Sequence, residues 1–164
     1  MLLYIVRHAW AAAYGDPAWP DDDLRPLLAE GRERFARVAK TLSARGVAPQ
    51  RIATSPLVRC RQTAEILAKH TDGKPEIIER PELAPGSDLE GIVQWTVAEA
   101  GRCDEVAWVG HAPDVGLFAA ELCGVARGQI RFAKGAVAAI GFDGPAALGR
   151  GELRWLVTAK LLGC

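Results

Sequence analysis

The sequence predicts an α/β fold, a three-layer sandwich in which a mostly parallel central sheet is flanked by helices. Short apolar runs alternate with stretches of helical period through the first two thirds of the chain, the pattern of parallel strands joined by crossover helices. In the last third, only a Gly/Pro-rich segment separates two apolar runs, which favours an antiparallel pair. We expect residues 1–164 to form a single domain, since 164 residues with 49% hydrophobic content can build one core.

Six apolar runs are the predicted strands, and the first of them lacks the alternation of a half-exposed strand, which indicates burial on both faces. They cover residues 2–6, 51–54, 77–78, 106–109, 136–142 and 152–158.

Four helices are predicted between these strands, at residues 27–44, 57–69, 88–100 and 113–123. In the first, Phe35, Val38 and Leu42 recur at helical spacing between charged residues. For the second, we expect Ser55 to be the N-cap and Pro56 the first helical residue.

Charge and composition exclude several classes of function. Twenty basic residues balance twenty acidic ones, so there is no overall field to attract nucleic acid or an anionic membrane. No secretion signal or membrane-spanning run is seen, and we expect a cytoplasmic protein. The four cysteines lack the spacing of a zinc site or redox pair, and we expect free thiols without a function: Cys60, Cys103, Cys123 and Cys164.

Basic side chains follow three of the predicted parallel strands. Arg7 and His8 end the first strand, Arg59 and Arg61 open the helix after the second, and His111 follows the fourth. One histidine at a strand end is commonly a structural residue, but recurrence at three strand ends favours a site. Because ligands of open α/β sheets bind beyond the carboxyl ends of the strands, we expect these side chains to converge there.

Arginines and histidines without a carboxylate cluster indicate an anion site, and we expect neither a metal nor a cofactor. Guanidinium groups match phosphate oxygens, and a neutral imidazole can attack phosphorus to form a phosphohistidine intermediate. We expect Arg7 and Arg59 to lower the pKa of His8, and His111 to act as a cation towards bound phosphate. His70, in the last turn of its helix, is interpreted as structural.

Three motifs, in order, resemble those of the histidine phosphatase superfamily, which has the phosphoglycerate mutase-like fold. They are "RHA" after the first strand, "SPLVRCRQTA" after the second and "VGHAP" after the fourth, and "LRPLLAEGRERFARVAKTL" resembles the first helix of that family. The resemblance implies that His8 is the nucleophile, Arg7 and Arg59 bind the phosphoryl group, and His111 is the second catalytic histidine. Arg25, before the Pro-Leu pair, is then expected to contact the leaving group.

Two residues depart from the family pattern. Ala9 replaces the usual glycine after the histidine, a change that an ordinary backbone angle would tolerate. Leu28 stands where threonine is common, so a polar contact is expected to be missing. Glu82 is the best candidate for a general acid, with a solvent-exposed loop carboxylate as the equal alternative.

Larger members of the superfamily insert helical segments that wall the pocket. Here only "ERPELAPGSDLEG" follows the third strand, so we expect no large cap insertion and an open site. These features resemble the small phosphohistidine phosphatase branch, which implies phosphorylated histidines of partner proteins as substrates. Two alternatives stay open: a general phosphomonoesterase acting on small molecules, and a noncatalytic module that binds phosphoproteins.

Overall fold

The structure is a computed structural model that describes residues 1–125 and 130–164. In these ranges six strands form one sheet: β1 (Leu2–Arg7), β2 (Arg51–Thr54), β3 (Glu76–Glu79), β4 (Glu105–Gly110), β5 (Val137–Gly141) and β6 (Glu152–Val157). The helices are α1 (Ala29–Ser43), α2 (Val58–His70), α3 (Leu89–Glu99) and α4 (Asp114–Leu122), with short 3-10 turns at Asp22–Leu24 and Pro81–Leu83.

The strand order is β3-β2-β4-β1-β5-β6. The first four strands of this order run parallel, and β5 is antiparallel to both β1 and β6. The predicted mostly parallel sheet with an antiparallel pair at its end is therefore confirmed. Arg7 is in register with Gly110, and Thr54 with Val109, so β1, β4 and β2 end at the same level.

Both faces of the sheet are covered, as the unbroken apolar strands predict. Along β1, Tyr4 and Val6 belong to the core cluster beneath α1 and α2, whereas Leu3 and Ile5 belong to the cluster beneath α3 and α4. Alternate side chains of one strand thus enter opposite cores, the arrangement of a three-layer sandwich.

No large insertion covers the carboxyl end of the sheet in the described ranges. Residues 80–88 join β3 to α3 and contain only the Pro81–Leu83 turn. The prediction that a large cap insertion is lacking is confirmed. No helix in the described residues is long and apolar enough to cross a membrane. The cytoplasmic location and the single-domain organisation stay predictions.

All four helices begin one or two residues later than predicted. Helix α1 begins at Ala29 because Leu27 forms a β-bridge with Ala11. Helix α2 begins at Val58, and the predicted N-cap Ser55 is wrong: Leu57, in an extended conformation, is the N-cap.

Close packing of α1 against the segment after β1 depends on Gly31. A Cβ atom added there would lie 2.8 Å from Trp10 Cβ and closer still to the carbonyl oxygen of Trp10. That carbonyl also accepts a 2.9 Å hydrogen bond from the Leu28 amide. A side chain larger than hydrogen therefore has no room at Gly31.

We predict that Gly31→Ala lowers the free energy of unfolding by roughly 1–3 kcal/mol, because overpacking forces helix and backbone apart. Urea denaturation measures this change. The matched control is Gly144→Ala, since nothing lies within 4 Å of a Cβ added at that residue. Equal stability of the two variants would contradict the packing argument.

Candidate active site

A cavity of about 420 Å³ lies at the edge where β1, β2 and β4 end. Five of the predicted site residues line it together: Arg7, His8, Arg25, Arg59 and His111. The convergence expected from three strand ends is thus what the fold produces. Arg61 is elsewhere, in an exposed ion pair with Glu79.

His8 is buried, with 7% of its surface exposed. Its Nδ1 lies 2.8 Å from the carbonyl oxygen of Ala9. A carbonyl oxygen can only accept, so Nδ1 carries the proton and Nε2 of the neutral ring keeps its lone pair. Burial, with smaller contributions from Arg59 and Arg7, lowers the pKa of His8 to about 4. The direction matches the prediction, but desolvation is a larger cause than the arginines.

His111 faces His8, with ring centroids 5.3 Å apart. Its Nε2 lies 2.9 Å from Ser55 Oγ and 3.4 Å from Cys60 Sγ. Burial, followed by the charge of Arg59, lowers the pKa of His111 to about 3. The ring of His111 is therefore neutral at neutral pH, because it is buried and loses hydration next to an arginine; its action as a cation towards bound phosphate stays a prediction.

Cys60, to which the sequence analysis gave no function, packs against His111. It is fully buried, and burial raises the pKa of its thiol to about 12. The sulfur is therefore a protonated thiol at neutral pH.

The two arginines nearest the histidines are held by backbone carbonyls. A terminal nitrogen of Arg7 donates to Phe132 O at 2.8 Å, and one of Arg59 donates to Asp22 O at 2.7 Å. The Nε atoms of both arginines are buried without a hydrogen-bond partner among the described residues. Both arginines line the cavity, and their guanidinium groups can offset the charge of an anion bound there.

Asp22, Asp114 and Lys134 also line the cavity, although the sequence analysis did not single them out. Asp22 is one of three consecutive aspartates in a predicted loop, and nothing in that run marks which carboxylate turns inward. With Lys134, the cavity wall carries four cations and two carboxylates. The local charge is positive in a protein whose formal net charge is zero.

Glu82, the predicted acid candidate, is not among the residues that line this cavity. Its carboxylate pairs with Arg80, whose Nε lies 3.1 Å from Oε2. The Pro81–Leu83 turn that carries Glu82 directs it to this neighbour two residues away. The structure therefore does not bring Glu82 together with the histidines.

The two departures from the family pattern have local explanations. The φ angle of Ala9 is outside the left-handed region, so a Cβ is accommodated, and its amide donates to Thr63 Oγ1 at 3.1 Å. Leu28 is the N-cap of α1 and makes no side-chain capping bond. This is the polar contact that a threonine would supply there.

Among residues 1–125 and 130–164, no group of three or more His, Cys, Asp or Glu side chains is placed to hold a metal ion. Metal independence itself stays a prediction.

Comparison with known proteins identifies the family to which this chain belongs. A sequence model of the histidine phosphatase superfamily (branch 1) matches residues 3–127, the segment that contains His8, Arg59 and His111. The chain belongs to this superfamily and is a phosphatase.

Individual relatives indicate which branch of the superfamily the chain resembles. Phosphohistidine phosphatase SixA of Escherichia coli (strain K12) is 29% identical over 158 residues, which are 94% of this chain and 92% of SixA. The solved structure of the protein histidine phosphatase SixA complexed with tungstate has a TM-score of 0.86 at 27% identity and covers 99% of both chains. An uncharacterized protein of Picosynechococcus sp. (strain ATCC 27264 / PCC 7002 / PR-6) is 40% identical over 121 residues, 73% of this chain and 71% of that protein. The predicted fold and the resemblance to the small phosphohistidine phosphatase branch are confirmed.

The depressed pKa values predict how the histidines titrate. In NMR spectra of the ligand-free protein, the ring signals of His8 and His111 should keep their neutral positions from pH 8 to pH 5, because their pKa values are about 4 and about 3. Saturating inorganic phosphate should raise the pKa of His111, since a dianion favours the imidazolium. His70, outside the cavity, is the internal reference. Titration of either cavity histidine near pH 6.5 without phosphate would contradict this account.

Proposed function

We propose that this phosphatase removes the phosphoryl group from phosphohistidine on partner proteins through a covalent intermediate at His8. The observation that carries the proposal is the state of His8: a buried neutral ring, its proton held on Nδ1 by Ala9 O, in a cavity walled by cations. Such a ring offers Nε2 as a nucleophile at neutral pH.

In the first step, Nε2 of His8 forms a bond to phosphorus while the bond from phosphorus to the substrate nitrogen breaks. The leaving imidazole keeps the electron pair and takes one proton from water. Arg7 and Arg59 offset the charge on the phosphoryl oxygens. His111 gains a proton as the dianion enters and donates a hydrogen bond to it.

In the second step, a water molecule attacks phosphorus and the bond from phosphorus to Nε2 breaks. The electron pair returns to His8, and the attacking water gives one proton to the hydroxide left by the first step. The oxygen of that water leaves on inorganic phosphate, and His111 returns its proton to the solvent. The sum is hydrolysis of one phosphoramidate bond, with His8 restored.

Two carboxylates, Glu82 and Asp22, are engaged by arginines, and this supports a leaving group that needs little acid catalysis; Asp114 also lines the cavity. Glu82 is held by Arg80 outside the cavity, and Asp22 is held by two arginines. A phosphoramidate nitrogen leaves more readily than an alkoxide. The absence of a large cap in the described ranges, together with the 84% exposure of Tyr14 at the cavity, supports a substrate presented on a protein surface.

His8→Ala should lower kcat by about 10³-fold or more, since the nucleophile is lost, while circular dichroism shows the fold unchanged. Wild-type enzyme quenched with alkali during turnover should carry an acid-labile phosphate on His8, detected by mass spectrometry. The matched control is His70→Ala, which removes the histidine outside the cavity and should retain activity. Wild-type turnover by the His8 variant would rule out the covalent route.

A substrate panel measured in EDTA tests the specificity. We predict that kcat/KM for a phosphohistidine protein exceeds that for sugar phosphates by at least about 100-fold, because a phosphoramidate nitrogen leaves more readily than an alkoxide. The chelator should leave the rate unchanged, as expected for a phosphatase without a metal. Faster hydrolysis of sugar phosphates would instead establish a general phosphomonoesterase, and phosphate binding without any turnover would establish a binding module.

A further inference from the structure

One carboxylate joins two of the arginines of the cavity. Asp22 Oδ1 lies 2.8 Å from Arg25 Nε, and Asp22 Oδ2 lies 2.9 Å from the NH2 nitrogen of Arg59. The backbone carbonyl of Asp22 also accepts from the other terminal nitrogen of Arg59 at 2.7 Å. Asp22 therefore fixes both ends of the Arg59 guanidinium and one side of Arg25.

The contacts of Asp22 also join two elements of the fold. Asp22 begins the Asp22–Leu24 turn, whereas Arg59 is on α2. Arg25 donates in addition to Ala12 O at 2.6 Å. The bridge thus fastens the loop that brings Tyr14 to the cavity onto the helix that carries Arg59.

Asp22 is ionised in this setting. Its partial burial opposes ionisation, but hydrogen bonds and charge from Arg25 and Arg59 outweigh burial and lower the pKa of its carboxyl. A carboxylate held in this way has no proton to give to a leaving group, so its effect on the reaction must pass through the arginines.

We propose that Asp22 is a positioning residue that orients Arg59 and Arg25 for the phosphoryl group and, as an internal counter-anion, weakens the binding of product phosphate. The inference rests on the proposed phosphatase site. Arg59 is only 3% exposed, so loss of the Asp22 carboxylate leaves one terminal nitrogen of this buried cation without its partner, and the cation attracts an anion more strongly. The orientation of the two arginines favours the chemical step. The negative charge of Asp22 lowers the affinity for product phosphate.

Two substitutions of Asp22 distinguish the effect of its negative charge from the effect of its position. Asp22→Asn removes the charge and keeps one oxygen acceptor, so inorganic phosphate should bind about tenfold tighter, while kcat falls about tenfold. Asp22→Glu keeps the charge but displaces the carboxylate by one methylene. It should bind phosphate within about threefold of wild type and lose about tenfold in kcat.

The measurements are calorimetric titration with inorganic phosphate and kcat on the best substrate of the panel, per active site of folded protein. The matched control is Asp23→Asn, the same charge change at an exposed neighbouring residue, which should leave both quantities within about twofold of wild type. A purely structural role of Asp22 would change the melting temperature and leave phosphate affinity and kcat unaltered.

The outcomes distinguish this inference from the proposed function. If wild-type enzyme hydrolyses phosphohistidine and binds phosphate, but folded Asp22→Asn matches it in both, the positioning role is overturned and the proposed function stands. Tighter phosphate binding in Asp23→Asn as well would reduce the effect to general surface charge and also overturn the role. A wild-type protein that neither binds phosphate nor turns over any substrate overturns both proposals.

Discussion

Parallel pairing of β4 with both β1 and β2 is the constraint on which the site depends. The pairing puts Arg7 level with Gly110 and Thr54 level with Val109. The segments that follow these three strands therefore begin at the same edge of the sheet. His8, Arg59 and His111, more than 50 residues apart in sequence, are thereby placed around one cavity. A slip of one residue in either pairing would send alternate side chains into the wrong core, so the two apolar layers also fix the geometry of the site.

Burial is what makes these basic side chains chemically unusual. An imidazole or guanidinium on a solvated loop would keep its ordinary pKa and orientation. Here the rings of His8 and His111 lose hydration at the end of a covered sheet and stay neutral. Arg59 is buried too, and both of its terminal nitrogens donate to oxygen atoms of Asp22. Burial therefore leaves neutral imidazole rings, and the contacts with Asp22 hold the arginine in a fixed direction.

Much of this arrangement could be predicted from the sequence, because the strands and helices follow from hydrophobic period and basic side chains recur at the ends of the strands. The four clustered residues Arg7, His8, Arg59 and His111 each stand directly after an apolar run or at the start of a helix. Glu82 and Asp22 show the limit. Both are loop carboxylates. Asp22 pairs with Arg59 and lines the cavity, whereas Glu82 pairs with Arg80 outside it. These are tertiary contacts, which the local sequence pattern does not predict.

The capping of α2 shows the same limit at a smaller scale. Ser55 followed by Pro56 is a good local start for a helix, yet the Ser55 hydroxyl is 2.9 Å from His111 Nε2, and α2 begins at Val58. A hydroxyl that could cap a helix instead contacts a catalytic candidate from another strand. The local preference of Ser55 to cap a helix is not realised here, because leaving a buried imidazole nitrogen without a partner costs more free energy than leaving one helix start uncapped.

The low pKa of His111 is compatible with its proposed action as a cation. Its pKa is about 3 because the buried ring lies near Arg59, a balance that holds only while no anion is present. A phosphoryl dianion entering between His8 and His111 reverses the sign of the local field. Protonation then follows binding, so His8 keeps its free Nε2 until the substrate arrives, and the imidazolium forms only where it can stabilise the transferring group.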